Sequence, residues 1–310
     1  MSAKFLVPVL AGALLCLTAC DIEDFGGLER YTRDFHNNYP LKAGGIVTIE
    51  TFNGSVEVST WEQDTVDISG TKTGPSQEAL DMLKVSIDNT PDSVSVRVVR
   101  PSERRNNLGA RLVIKVPRNA RIDRITTSNG PIRVLDGAGP SRFRTSNAAI
   151  RVLTLNGALD AQTSNGPIEV ADVAGDVTAH TSNGHVHAER VAGSLDIVSS
   201  NGTVTANVKR PDAGVHVSTS NNSIELTLPA NLSSSVRANT SNNSITLHFP
   251  SEPNAHIVAS TSNSAILSDF DMRVRGEIAK NHMDAVMGSG GPTLDLHTSN
   301  GSIRLMKLAN

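Results

Sequence analysis

The residues best suited to chemistry gather in the middle of the chain. His180, His185 and His187 lie close together. His185 and His187 flank Val186, so on an extended strand both leave the same face. Imidazoles two residues apart on a strand can share a metal ion. Glu169, in the same position one repeat earlier than His187, is the nearest further ligand. Asp160, Asp176 and Asp196 form a second constellation. Three carboxylates on one face can hold calcium, or divide the acid and base roles of a glycan-cleaving enzyme. The outward positions Arg133, Arg151, Glu169, His187, Thr205 and Glu225 make no convergent acid–base pair. No G-x-S-x-G, P-loop or dinucleotide fingerprint occurs. The expectation is therefore no catalytic residue, no cofactor, no metal and no small-molecule substrate; His185 and His187 are the candidates if a metal binds, and exposed polar residues otherwise.

A different chemistry sits at the N-terminus. Lys4 precedes an apolar stretch from Phe5 to Leu17, too short and too closely followed by polar sequence to span a membrane. It ends in Leu17-Thr18-Ala19-Cys20, which resembles the lipobox of bacterial lipoproteins. The resemblance implies that residues 1–19 are a cleaved signal peptide and that Cys20 carries a thioether-linked diacylglycerol. Several acyl chains hold a bilayer stably where one alone is marginal. The expected location is the bacterial cell envelope, with the membrane reached through this lipid. Asp21 resembles the inner-membrane retention signal of enteric bacteria, a rule that does not reach all bacteria, so the membrane and leaflet stay open. Cys16 and Cys20 are the only cysteines. One leaves with the signal and the other is lipidated, so no disulfide is expected.

Net charge is −3, which argues against a nucleic-acid partner. One basic run stands out against only Glu103 and Asp123: Arg97, Arg100, Arg104, Arg105, Arg111, Lys115, Arg118, Arg121 and Arg124. As a single patch it would suit an anionic surface; as strand edges and loops it is ordinary solvated charge.

The elements that must position these groups come from an internal repeat. Thr127-Ser-Asn-Gly-Pro-Ile-Arg-Val134 returns from Thr145, Thr163, Thr181 and Ser199 at 18-residue steps, then from Thr219, Thr240, Thr261 and Thr298. Thr51-Phe-Asn-Gly-Ser-Val-Glu-Val58 is an early relative. After each corner apolar and polar residues alternate, as in Ile132/Val134, Ile150/Val152 and Ile168/Val170, which predicts a strand with one buried face. A second alternating run, such as Val191, Gly193, Leu195 and Ile197, completes the unit. One unit cannot bury its own apolar face, so the units must stack. The prediction is an all-β parallel β-solenoid, with nine copies making a rod roughly 40 Å long at about 4.8 Å each. The G-G-x-G-x-D nonapeptide of calcium-binding β-rolls is absent.

Each corner carries an asparagine: Asn129, Asn147, Asn165, Asn183, Asn201, Asn221, Asn242, Asn263 and Asn300. Counted back along the second strand they fall on the inward parity. Stacked copy on copy, their amides are expected to form a structural hydrogen-bonded ladder, a row of ligand-binding amides being the functional alternative.

The expected organisation is a signal peptide (1–19), a lipidated cysteine with a polar tether (20–43), a β-rich capping region (44–120) and the repeat region (121–310). A short helix is expected at Gln77–Leu83, Trp61 as a packed residue of the cap, and an irregular insertion at Asp271–Gly291. The N-G-x-I/V-x-V strands, Leu228-Pro229, and the closing Gly288 to Leu305 resemble the bacterial "putative-adhesin" family. That resemblance implies β-solenoid domains of envelope proteins and carries over no catalytic residue. The function it suggests is a lipid-anchored, non-catalytic envelope protein that binds a polymer or protein, or serves as a scaffold. The alternative is a glycan-active lyase or hydrolase on a β-helix.

Overall fold

The computed structural model describes residues 30–101, 107–210, 214–275 and 279–308. The residues expected to form a signal peptide, and Cys20, lie outside them. One helix, Gln77–Met82, interrupts a fold otherwise made of strands. Ser76 caps it, its Oγ accepting from the Ala79 N–H at 3.2 Å.

The strands form two long sheets, one of 13 and one of 16. Each copy of the repeat gives one strand to each. On the smaller sheet Ile150 pairs with Ile168, Ile168 with Val186, and Val186 with Val204, all parallel. On the larger, Leu159 pairs with Val177 and Val177 with Leu195. The side-chain period of two then decides what is buried. Ile132, Ile150, Ile168, Val186, Val204, Ile224, Ile245 and Ile303 make one unbroken buried aliphatic column, and Phe143, Ala161, Ala179, Ile197 and Val217 another. Burying each large aliphatic side chain is worth about 1.5–3 kcal/mol. Aromatic residues are 3% of the chain because β-branched and small side chains fill this interior.

The copies are not stacked in chain order. The last copy inserts between two earlier ones: Ile303–Lys307 lies between Ile245–Phe249 and Ile266–Ser268, and Thr293–Thr298 between Val236–Asn239 and Ala255–Thr261. The other end repeats the device. The early relative's Val56–Trp61 lies between Gly109–Pro117 and Ile132–Val134. Parallel pairing gives way to antiparallel at both ends of the larger sheet and at one end of the smaller, whose other edge, Ile266–Ser268, pairs parallel with Ile303–Lys307. Tyr31–Pro40 and Thr65–Gly74 cover Gly109–Pro117, Lys84–Thr90 covers Ser93–Val99, and His282–Met287 covers Ala255–Thr261.

Three expectations need correction. The segment read as a polar tether contains the strand Tyr31–Pro40, whose partly buried Phe35 and Tyr39 alternate with polar residues and pack on the core. The stretch read as an irregular insertion contains the strands Arg273–Val274 and His282–Met287, with Ala285, Val286 and Met287 buried. At the corners the inward residue is the Thr or Ser, and the Asn is exposed. The chain leaves strand geometry at the corner, so parity counted along the strand does not carry through it.

Candidate functional site

Each corner is held by two hydrogen-bond systems on opposite sides of the backbone. Inside, the buried Thr or Ser hydroxyl donates to a carbonyl of the adjacent copy: Thr145 to Gly130, Thr163 to Ala148, Thr181 to Gly166 and Thr219 to Gly202, at 3.0–3.1 Å. Outside, each Asn Nδ2 donates to the Oδ1 of its neighbour at 2.6–2.9 Å. The series runs from Asn53 through Asn129, Asn147, Asn165, Asn183, Asn201, Asn221, Asn242 and Asn300 to Asn263. Asn300 stands before Asn263 because the last copy is inserted. Along the series from Asn129 to Asn300 each amide both donates to one neighbour and accepts from the next.

The histidines do not converge. His180 is on the larger sheet beside Gln162 and Val198, whereas His187 is on the smaller one beside Glu169. His187 Nε2 is 3.0 Å from Glu189 Oε1, and His185 Nε2 is 3.7 Å from Glu169 Oε1. Glu169 itself takes a two-point contact from Arg151 at 2.8 and 3.2 Å. That hydrogen bond holds its carboxyl below the usual range, and His187 does the same for Glu189. Among the described residues no group of three or more His, Cys, Asp or Glu is placed to hold a metal. His185 and His187 each face a carboxylate, while His180 Nε2 is buried with no hydrogen-bond partner among the described residues.

The three aspartates are equally dispersed. Asp160 and Asp196 share a column with Thr178 between them. Asp160 accepts from Arg142 at 3.1 Å and Arg144 at 3.0 Å. Asp176 accepts from the Ser194 backbone N–H at 2.8 Å, and its hydrogen bonds to Ser194 lower its pKa. The basic run is divided between the two sheets and largely occupied. Arg97 meets Glu50 at 3.4 Å, Arg118 meets Glu62 at 2.6 Å, Arg100 lies over Phe52, and Lys115 lies over Trp61. Arg104 and Arg105 lie outside the described residues.

The most developed surface feature is on the outer face of the larger sheet. Strand pairing sets Asp196, His216, Arg237 and Asp295 side by side. Beside this row runs a second, Ser194, Gly214, Ser235 and Thr293, and together they line a shallow cavity of about 630 Å³. Arg237 Nε donates to Asp295 Oδ2 at 2.9 Å. The other Asp295 oxygen is 2.6 Å from His297 Nε2, and His297 Nδ1 is 2.6 Å from Ser260 Oγ. Sequence reasoning missed this network because Ser260, Arg237 and Asp295 come from strands that become neighbours only through the inserted last copy. Its order of contacts is that of a hydrolase triad. The Ala255–Thr261 strand is paired on both sides, however, so its backbone N–H groups are committed to the sheet and cannot stabilise an oxyanion.

No protein-family model matches the chain, and no curated protein matches it. Among solved structures it is similar to a "putative adhesin" from Bacteroides fragilis, at 12% identity over 88% of this chain and 97% of the other, with a TM-score of 0.42. It is similar to a "putative lipid binding protein" from Parabacteroides distasonis at 10% identity over 89% and 96%, TM-score 0.48. A "putative adhesin" from the same species matches at 9% identity over 90% and 97%, TM-score 0.37.

Proposed function

We propose that the two sheets wind together as a parallel β-solenoid rod, and that the rod is a non-catalytic binding or scaffold module tethered to the cell envelope by lipid on Cys20. The observation that carries the reading is the constant 18-residue offset of the parallel pairing together with the continuous asparagine spine. Such a construction presents flat faces whose side chains stand in fixed columns about 4.8 Å apart. That suits the display of a surface to an extended polymer or protein. The charged groups are spent on one another across neighbouring copies, which suits a rigid wall better than a reaction centre. The rival reading, a glycan-active enzyme, needs two carboxylates at one point; Asp160 is engaged by two arginines and Asp176 by Ser194.

The anchor is tested by expressing wild type and Cys20→Ala in a bacterial host fed a labelled fatty acid. Wild type is expected to take the label and partition into detergent, and the variant to do neither. Equal labelling would remove the anchor from this reading.

A further inference from the structure

The geometry points to the cavity over Asp196, His216, Arg237 and Asp295 as a binding site for an acidic polysaccharide whose sugars carry a carboxylate. This deepens the reading of the rod as an envelope-polymer binder and rests on it.

The cavity falls where the repeat lengthens from 18 to 20 and then 21 residues. Gly214 and Ser235, which end the lengthened segments, line it. The lengthening therefore coincides with a place where a row of charges is joined by a second row of small polar residues. Its floor offers three kinds of recognition group. Arg237 has a side chain 61% exposed, and only its Nε is used, by Asp295. Asp295 is itself held by His297 and that by Ser260, which fixes the guanidinium's partner, and no hydrogen bond to the guanidinium's remaining N–H groups occurs among the described residues. His216 is exposed, with no partner among the described residues. Asp196 is half-buried, and its Oδ1 is a buried atom with no hydrogen-bond partner among the described residues.

The arrangement selects among ligands. A guanidinium with free N–H groups beside an imidazole takes a carboxylate, with charge-assisted hydrogen bonds. Asp196, two strands away at about 10 Å, has its Oδ1 out of a ligand's reach, so it would accept hydroxyl donors through Oδ2 and repel a second anion. The Ser235 and Thr293 hydroxyls add neutral donors and acceptors. A dense polyanion such as a sulfated or phosphorylated chain would place charge against Asp196 and Asp295. A neutral sugar would leave Arg237 unused, and the lining has no Phe, Tyr or Trp ring for it to stack on. A chain of uronic acid sugars carries one carboxylate and several hydroxyls per unit, and meets both ends of the row.

The test is affinity electrophoresis of the full chain in gels containing polygalacturonate, neutral galactan or dextran sulfate, with titration of trigalacturonate as the quantitative arm. Retardation is expected with polygalacturonate and not with galactan. Arg237→Ala should weaken trigalacturonate binding roughly tenfold or more, the loss of a charge-assisted contact, and Asp196→Asn should weaken it less. Arg304→Ala, exposed on the opposite sheet, should bind as wild type does. Thermal melting of each variant shows that it folds. Stronger retardation by dextran sulfate, or equal losses from Arg237→Ala and Arg304→Ala, would overturn the site. Absence of uronate binding by a wild-type protein that still cross-links to other envelope components would also overturn it, while leaving the rod's envelope role standing.

Discussion

At the scale of single residues, inward and outward neighbours on one strand carry opposite loads. Ile168 is fully buried between Ile150 and Val186, and Glu169 next to it is partly exposed beside Arg151 and His187. Ile168→Asp would put an unpaired carboxylate into the aliphatic column, costing several kcal/mol or forcing it to protonate. Limited proteolysis is expected to find a new cleavage site near the middle of the repeat region. Glu169→Gln should cost under about 0.5 kcal/mol, as exposed pairs do. Its effect has a sign in pH. The Arg151 contact lowers the Glu169 pKa in the folded state, so the stabilisation is full above the unfolded value of about 4.3. It fades as pH falls through the lower folded value. Denaturant unfolding of both proteins should therefore show a small gap at pH 7 that closes in acid. If Ile168→Asp and Glu169→Gln unfold alike at neutral pH, the inside–outside assignment is wrong.

At the scale of elements, the unit of exchange is the 18-residue copy. Deleting residues 163–180 would bring Thr181 where Thr163 stands. Val186 would meet Ile150, Leu195 would meet Leu159, and Asn183 would donate to Asn147. Every apolar residue would still face inward, so the shortened chain should fold cooperatively with a β-sheet circular dichroism spectrum. Deleting residues 163–171 alone would bring the wrong sheet's strands together, and should yield a protein without a cooperative melt. If both deletions fold equally well, the copy is not the structural unit. This regularity is also why so much of the architecture was legible. Period-two alternation identified the strands, and recurrence of T-S-N-G identified the units. The order of units at the ends was not legible, because every corner offers the same Thr and Asn contacts and nothing local distinguishes Asn242 or Asn263 as a neighbour for Asn300. The cavity over Arg237 was hidden for the same reason. Its residues looked like separate outward positions until the pairing put them in one row.

For the whole molecule, the larger sheet is closed at both ends by antiparallel strands and the smaller at one, its other edge being Ile266–Ser268. Antiparallel strands occupy the positions where a further parallel copy would otherwise add, as at His282–Met287 and Tyr31–Pro40, and so blunt a ready template for unwanted pairing. The closure also makes stability non-local in one respect. A chain ended after Gly291 would lack the strands that join Val236–Asn239 to Ala255–Thr261 and Ile245–Phe249 to Ile266–Ser268. Hydrogen exchange is expected to show residues 255–287 losing protection in that protein, while the strands up to Phe249 keep most of theirs. Retained protection of 255–287 would mean that this end does not depend on the inserted copy.

The inserted copy has a consequence in time. A chain made and exported from its N-terminal side delivers the Thr261 copy before the Thr298 copy. When the Thr261 copy arrives, the edge at Val236–Asn239 and Ile245–Phe249 is bare, and its own strands carry the same alternating pattern as the rightful occupant. It can dock there prematurely, in a register that satisfies the corner threonine and asparagine. To reach the final arrangement it must then let go and yield the place to Thr293–Lys307. The antiparallel pairing of Ala255–Thr261 with His282–Met287 gives the late segment its opening, since a hairpin formed first within the chain keeps one edge of that copy occupied while the other waits. The last piece synthesised among the described residues thus lies between two copies that precede it in the chain.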